Sequence, residues 1–273
     1  MKLLLSLFIL LVAVSGLDAQ MILLKSGESV PATTFQRQGD LLMVAVTNST
    51  GSKGQVAYYI SDVVELQFPQ PPEMIATSDL IAKGRAARAL EVIEPIVAFQ
   101  KTIRDIPGNW WAKTALVKCT ALVALNRPAD AELILKDIAT TSTEPEIQLA
   151  AKLQLALLDP PKDPAVALAA YDGVISQSTD TKTLTQAWLA EGDLYLAQHQ
   201  ADEALMAYLT VTVFYPQNNP QVPRALWGAA QAYAKLKDSK NQDLTLNDIV
   251  THYPDNPEAS LAKAEIMKKE NQQ

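Results

Sequence analysis

The sequence contains few of the residues from which catalytic and metal sites are built. Its 273 residues include one cysteine, Cys119, and two histidines, His199 and His252. One thiol excludes an internal disulfide framework, and the two histidines lie outside any zinc-ligand spacing such as HExxH. The sequence also has no GxSxG motif and no phosphate loop. It therefore predicts a non-enzymatic protein with no catalytic residue, no metal site and no cofactor.

A basic excess is also missing. Lys and Arg number 23 against 30 Asp and Glu, which gives a formal net charge of −7. A surface that binds nucleic acid needs clustered cations to neutralise phosphates, and no Lys/Arg-rich run stands out. Nucleic acid is therefore not an expected partner. The lone Cys119 lies among Val117, Ala121 and Leu122, which is typical of a small buried side chain.

Only the N-terminus carries a long apolar run, and that run is too short to span a bilayer. Met1-Lys2 precedes the apolar residues 3–14, whereas a membrane span needs about 20. This pattern predicts a signal peptide, residues 1–19, with cleavage after Ser15 or Ala19, and a periplasmic or secreted protein. An uncleaved N-terminal anchor is the alternative. No cysteine follows the run, so a lipid anchor is not expected.

Residues 20–68 show short β-type runs separated by Gly-, Asn- and Ser-containing turns. The pattern predicts a small all-β domain, an SH3-like barrel or a meander. Pro69-Gln70-Pro71-Pro72 ends it, because proline cannot donate to a sheet and stiffens an extended chain. Residues 69–75 are therefore predicted to be a linker. The predicted strands are 21–24, 30–37, 41–47, 55–60 and 63–68, with a loop at 48–54.

From residue 76 onward, apolar residues recur three and four apart, which predicts helices. In the clearest unit, Trp188, Gly192 and Tyr195 lie on one predicted helix, and Ala204 and Tyr208 lie on the next. Pro216 follows this second helix. This arrangement resembles the tetratricopeptide repeat (TPR), in which a small residue lets two helices approach closely and large residues fill the space between pairs.

The same register can be placed on the neighbouring segments. The alanine-like position recurs at residues 131, 167, 204 and 242, a period of 36 to 38 residues, although Gln242 departs from the pattern. Residues 77–102 form a divergent first pair, interrupted by Pro95, and residues 257–269 form a capping helix. The resemblance implies a mainly α protein, a TPR-like α-solenoid over residues 76–269 with a concave face. A plain helical bundle is the alternative.

Two turns carry a further signature. Tyr215-Pro216-Gln217-Asn218-Asn219-Pro220 and Tyr253-Pro254-Asp255-Asn256-Pro257 share one design: Tyr-Pro, a polar turn that contains Asn, and a second Pro before the next helix. This is similar to periplasmic TPR proteins of the outer-membrane assembly and Tol-Pal accessory kind. That resemblance implies an adaptor in the cell envelope, without the anchor cysteine of the lipoprotein members.

In the TPR family, protein or peptide ligands usually lie in the groove lined by the first helix of each pair. Trp227 and Arg224 are the leading candidates, because Trp and Arg are enriched where binding energy concentrates. Packing of Trp227 against the next repeat is an equal alternative. The family's clamp for a C-terminal carboxylate is not supported, because Leu149, Leu116 and Asp193 occupy comparable places. The predicted groove residues are Lys113, Leu116, Thr120, Lys152, Gln186, Leu189, Asp193, Arg224, Trp227 and Gln231.

The sequence therefore favours an exported scaffold or adaptor that binds protein in the cell envelope. The alternatives are a self-assembling structural protein of the envelope and an envelope enzyme with an unrecognised active site, because fold does not fix function.

Overall fold

The computed structural model describes residues 20–32, 34–47, 53–216 and 220–271. The predicted signal peptide and most of the predicted 48–54 loop lie outside these residues. The chain divides into two compact units, one ending at Ile134 and the other beginning at Leu135. The strands are β1 Met21–Leu24, β2 Ser29–Pro31, β3 Phe35–Gln38, β4 Leu41–Thr47, β5 Lys53–Tyr59 and β6 Val63–Gln67. The helices are α1 Pro72–Ala82, α2 Ala86–Lys101, α3 Trp111–Ala124, α4 Pro128–Thr141, α5 Pro145–Leu158, α6 Pro164–Ile175, α7 Thr181–Ala197, α8 Ala201–Phe214, α9 Val222–Lys235, α10 Ser239–His252 and α11 Pro257–Glu270.

The first unit begins with two three-stranded antiparallel sheets, in the orders β2-β1-β6 and β3-β4-β5. Alternate residues of β1 and β4 point inward, as the period of two requires. The predicted single strand over residues 30–37 is wrong. It is two strands in different sheets, because β2 pairs with β1 and β3 pairs with β4. Pro31 ends β2, and a proline cannot continue the ladder as a donor.

The chain between α2 and α3 completes the core of these sheets. Ile103 and Ile106 are fully buried against the apolar residues of the strands. Leu66 N donates to Pro107 O at 2.8 Å, and Trp110 Nε1 donates to Phe68 O at 3.0 Å. The strands and the α2–α3 connection therefore form one packed body.

Two prolines lie inside helices, where the sequence had suggested otherwise. Helix α1 begins at Pro72, within the segment predicted as a linker, because proline at the first helical position gives up no hydrogen bond. Helix α2 continues through Pro95, which was predicted to interrupt the first pair. Pro95 and Glu91 are both exposed, so water can satisfy the Glu91 carbonyl that loses its amide donor.

The helices follow one another as antiparallel pairs that bury the residues of the predicted register. Gly192 and Gly228 flank the ring of Tyr208, a residue that is 1% exposed. Cys119 is also buried, as predicted, and burial raises the pKa of its thiol to about 12. At the alanine-like position, Ala131, Ala167, Ala204 and Gln242 are all buried.

The Gln242 departure has a structural explanation at the end of the chain. Lys269 of the capping helix α11 donates from Nζ to Gln242 Oε1 at 2.9 Å and contacts Asp243. A buried amide is tolerated when its hydrogen bonds are made. Lys269 near the polar end of α11 therefore binds the α10 side chain that replaces the small apolar residue of the register.

Four of the short turns inside the helix pairs contain a residue in the left-handed backbone conformation. One residue in each of four turns has a positive φ, namely Gly84, Asn126, His199 and Lys237 at 70°, 58°, 63° and 60°. Glycine adopts this conformation without a steric cost, and asparagine tolerates it better than histidine or lysine.

We expect His199→Gly and Lys237→Gly each to raise the free energy of unfolding by about 0.5–1 kcal/mol, because they remove this strain. Asn126→Gly should raise the free energy of unfolding by less. Gln200→Gly should not raise it at all, because Gln200 has a φ of −93°. Urea denaturation followed by circular dichroism measures all four. If Gln200→Gly raised the free energy of unfolding as much as His199→Gly, backbone strain at the positive φ would not be the cause.

Hydrogen bonds to Glu146 join the start of α5 to the turn between α6 and α7. Glu146 accepts from Ser178 Oγ at 2.6 Å, and from Thr179 N and Oγ1 at 2.7 and 2.8 Å. These hydrogen bonds, with that of Ser178 the largest cause, lower the pKa of Glu146 from 4.5 to about 2. Because the folded-state pKa lies below the unfolded one, Glu146 stabilises the fold above pH 4.5, and this contribution is lost as the pH falls toward 2.

We therefore expect Glu146→Gln to lower stability at neutral pH and to flatten the fall in stability between pH 4.5 and 2. Thermal unfolding measured across that pH range tests this. Glu258→Gln, in the first turn of α11, controls for the interaction of a glutamate with the helix dipole. An unchanged pH slope in Glu146→Gln would rule out this role.

Candidate functional site

The predicted groove residues lie on the first helices of the pairs, but not all in one unit. Lys113 belongs to α3 in the first unit, where its Nζ lies 5.1 Å from the centre of the Trp110 ring. Leu116, which is half-buried, and Thr120, which is exposed, also belong to α3. The remaining predicted groove residues belong to α5, α7 and α9 in the second unit. Lys152 and Gln231 are exposed, and Gln186 is half-buried. Leu189 is only 1% exposed, so its assignment to the groove is wrong.

Asp193 and Arg224 are brought together across α7 and α9. Arg224 Nη2 lies 2.6 Å from Asp193 Oδ2, and both side chains are about half exposed. Tyr208 Oη donates to the other carboxylate oxygen of Asp193 at 2.7 Å. Burial of the Tyr208 ring, followed by the charge of Asp193, raises the pKa of its hydroxyl. Asp193 is therefore held between a buried tyrosine and an exposed arginine. This fixes the position of the guanidinium on the surface formed by α7 and α9, the first helices of their pairs, which we call the first-helix face.

Trp227 lies one turn after Arg224 but has a different setting. It is half-buried and packs against a cluster formed by residues of α9, α10 and α11, including Leu226, Leu246 and Ala262. The structure therefore gives Trp227 a packing role, which the sequence had left as an equal alternative, and leaves part of its ring accessible.

Sequence reasoning missed an apolar cavity in the first unit. Its volume is about 270 Å³, and three phenylalanines contribute to its wall: Phe35 of β3, Phe68 after β6 and Phe99 of α2. The centre of the Phe35 ring lies 5.2 Å from that of Phe68 and 5.4 Å from that of Phe99. Pro69, Pro71, Pro72 and Pro95 also line it. The proline cluster was the available signal, but only the tertiary structure places it beside three aromatic rings.

Sequence reasoning also missed Glu191 of α7. Its side chain is 7% exposed, and its Oε2 has no hydrogen-bond partner. Burial, followed by the charge of Asp172 of α6, raises the pKa of its carboxyl. The signal was present in the sequence, because the TPR pattern has leucine at this place, directly before the small residue. A buried carboxylate there costs stability unless it is paired.

The described residues include neither a metal-ligand cluster nor a membrane-spanning helix. No group of three or more His, Cys, Asp or Glu side chains is arranged to hold a metal ion within the described ranges. In the same part of the chain, no helix combines the length and the hydropathy that a membrane span requires.

No family model and no curated protein matches the sequence. Solved structures that resemble the fold include TPR proteins. A putative kinesin light chain with TPR-like repeats from Podosopora anserina has 15% identity and a TM-score of 0.43, over 71% of this chain and 95% of its own. YrrB, described as a TPR protein with an unusual peptide-binding site, has 16% identity and a TM-score of 0.39, over 71% and 91%. A tetratricopeptide repeat protein from Parabacteroides merdae has 15% identity and a TM-score of 0.41, over 72% and 77%.

Proposed function

We propose that this protein is an exported, non-enzymatic scaffold that binds a protein partner in the cell envelope. The observation that carries the proposal is the first-helix face of the second unit. There α7 and α9 present the Asp193–Arg224 pair, Gln231 and part of the Trp227 ring. An arginine already oriented by a carboxylate loses less freedom on binding than a mobile one, and Trp and Arg are the residue types that most often dominate protein interfaces.

The envelope location rests on the sequence. A basic start, a short apolar run and small residues at 13, 15 and 19 are typical of a cleaved signal peptide. We expect the mature protein in the periplasmic or secreted fraction, with an N-terminus at Gly16 or Gln20. Cell fractionation with mass spectrometry of the intact chain tests this. A full-length chain that stays in the cytoplasm would contradict the proposed envelope location. It would leave the proposed protein binding untested and unaffected.

Site-specific photocrosslinking in cells tests the binding face. A crosslinking residue placed at Gln231, which is exposed on α9, should give a discrete product, and Arg224→Ala should weaken it. Asn247, exposed on α10, is the matched control position. If Gln231 gives no product above that at Asn247, the first-helix face is not a binding surface.

A further inference from the structure

The apolar cavity of the first unit has a polar group at its floor, and the donor of that group is unused. Gln100, in the last turn of α2, lines the cavity and is 5% exposed. Its Oε1 accepts from Trp110 N at 2.9 Å. Its Nε2 donates to none of the described residues. A donor at a buried position costs stability when it lacks an acceptor, so this amide is placed for an acceptor that the described chain does not supply.

A ligand can reach this donor through the cavity. In the described part of the chain, the unpaired side-chain atoms that are sealed from solvent belong to three other residues, so Gln100 Nε2 is accessible. Phe35 and Phe68, in the walls, are half-buried, whereas Gln70 and Phe99 are exposed and mark the mouth. The cavity therefore leads from an exposed rim, past aromatic walls, to an amide donor.

The contacts around the cavity hold it open. Trp110 ties the floor to one wall, because its backbone N–H donates to Gln100 and its Nε1 donates to Phe68 O at 3.0 Å. Pro69 and Pro71 follow in the same wall, and the ring of a proline fixes its φ and removes its N–H. The wall is therefore stiff and offers no backbone donor at these two residues. A preformed site of this kind requires little ordering when a ligand binds.

The size and the charge of the cavity limit what it can hold. Its volume is about 270 Å³. A cavity of about 150 Å³ accommodates benzene, and sites for drug-sized ligands begin at about 300 Å³. Glu73 is the charged residue among the described residues that line the cavity, so an anion is disfavoured. Phenylalanine rings favour a further ring in a tilted or offset arrangement. The cavity therefore suits one neutral aromatic ring.

We propose that this cavity binds the tyrosine side chain of a partner segment. The ring lies among the phenylalanines and prolines, and the phenolic oxygen accepts from Gln100 Nε2. Phenylalanine would leave this donor unpaired, and the indole of tryptophan would bring a second donor to it. Thr34 and Gln70, exposed on the cavity lining, provide hydrogen-bonding groups for the main chain of the segment. The inference rests on the proposed protein-binding function and adds a site in the first unit.

Capped peptides of the sequence Gly-Ser-X-Ser-Gly test the proposal, with tyrosine, phenylalanine, tryptophan or phosphotyrosine as X. NMR titration of the chain with labelled isoleucine methyl groups follows binding at Ile96, which lines the cavity. Ile249 of α10 is the reference whose signal should not move. We expect the tyrosine peptide to bind about tenfold more tightly than the phenylalanine or tryptophan peptide, because it pairs the Gln100 donor. The phosphotyrosine peptide should not bind, since its phosphate is an anion.

Three variants separate the hydrogen bond from the cavity. Gln100→Met keeps a side chain of similar length and removes the donor. The tyrosine and phenylalanine peptides should then bind equally, and binding of the phenylalanine peptide at its wild-type affinity shows that the cavity is intact. Phe99→Ala, at the exposed mouth, should weaken both peptides alike. Phe214→Ala, which removes an exposed phenylalanine of α8, is the matched control and should change neither.

Several outcomes would overturn the proposal. They are equal binding of the tyrosine and phenylalanine peptides to the wild-type chain, tighter binding of the tryptophan or phosphotyrosine peptide, and a tyrosine preference that survives Gln100→Met. Unchanged affinities in Phe99→Ala, or no shift at Ile96 with any peptide, would overturn it as well. Crosslinking at Gln231 concerns α9 in the second unit. Its failure would refute the first-helix face as a binding surface and leave the peptide results unaffected.

Discussion

Gly108→Ala should destabilise the first unit more than a glycine-to-alanine change at any other glycine that the structure describes there. Gly108 has a φ of 80°, and an added Cβ would lie 2.0 Å from the carbonyl oxygen of Leu66 and 2.9 Å from its carbonyl carbon. Both obstacles are backbone atoms of a sheet, so neither can rotate away. The α2–α3 connection must move, and the Leu66–Pro107 hydrogen bond and the burial of Ile106 are lost with it. We expect a loss of about 3 kcal/mol or more, the combined cost of backbone strain and lost contacts.

Gly84→Ala is the matched control for this prediction. Gly84 also has a positive φ, 70°, but an added Cβ meets nothing within 4 Å. Its substitution should cost only the backbone strain, about 1 kcal/mol. Urea denaturation followed by circular dichroism gives both values. Equal losses at the two positions would mean that the contact with Leu66 does not constrain the connection.

Gly228→Ala should have the largest effect of this kind in the second unit. An added Cβ would lie 2.4, 2.5 and 2.7 Å from three carbon atoms of the Tyr208 ring. The ring cannot retreat, because Gly192 faces it on the other side, where a Cβ would lie 2.7 Å away. Its hydroxyl is also tied to Asp193. Overpacking of this kind costs about 1–3 kcal/mol, occasionally more, and the gain in helix propensity offsets at most about 1 kcal/mol. We expect a net loss of about 2 kcal/mol.

Gly173→Ala provides the control, since Gly173 lies within α6 and an added Cβ meets nothing within 4 Å. It should stabilise the protein by up to about 1 kcal/mol. A double mutant adds a direct test of the mechanism. In a Tyr208→Leu background the cost of Gly228→Ala should shrink, because the smaller side chain leaves room. Additive losses would show that the ring is not the obstacle.

The Tyr208 contact also links stability to the proposed binding face. The ring that separates α7 from α9 places its hydroxyl on Asp193, and Asp193 in turn holds Arg224. A variant that displaces the ring should therefore weaken crosslinking at Gln231 as well as stability. Arg224→Ala should weaken crosslinking alone, since an exposed ion pair contributes little to folding.

The helix pairs were largely predictable from the sequence, because their determinants are local. Apolar spacing identified the repeats, and alanine or glycine at the register positions marked where helices meet. The sequence correctly placed the capping helix and the burial of Cys119. Pro95 was misjudged because the cost of a proline within a helix depends on whether water reaches the carbonyl four residues earlier. The strand prediction over residues 30–37 failed because a change of sheet leaves little trace in hydrophobic alternation.

The sequence by itself determined the register of the repeats, since the 3.6-residue period and the small residues repeat along the chain. Only the tertiary structure decided which side chains of that register meet. It showed the Asp193–Arg224 pair, the three phenylalanines beside the proline cluster and the unpaired carboxyl of Glu191. The physical reason is that burial and charge pairing depend on residues far apart in the sequence. From the sequence alone, Glu191 is indistinguishable from a solvated helix residue, and only the neighbouring helices bury it.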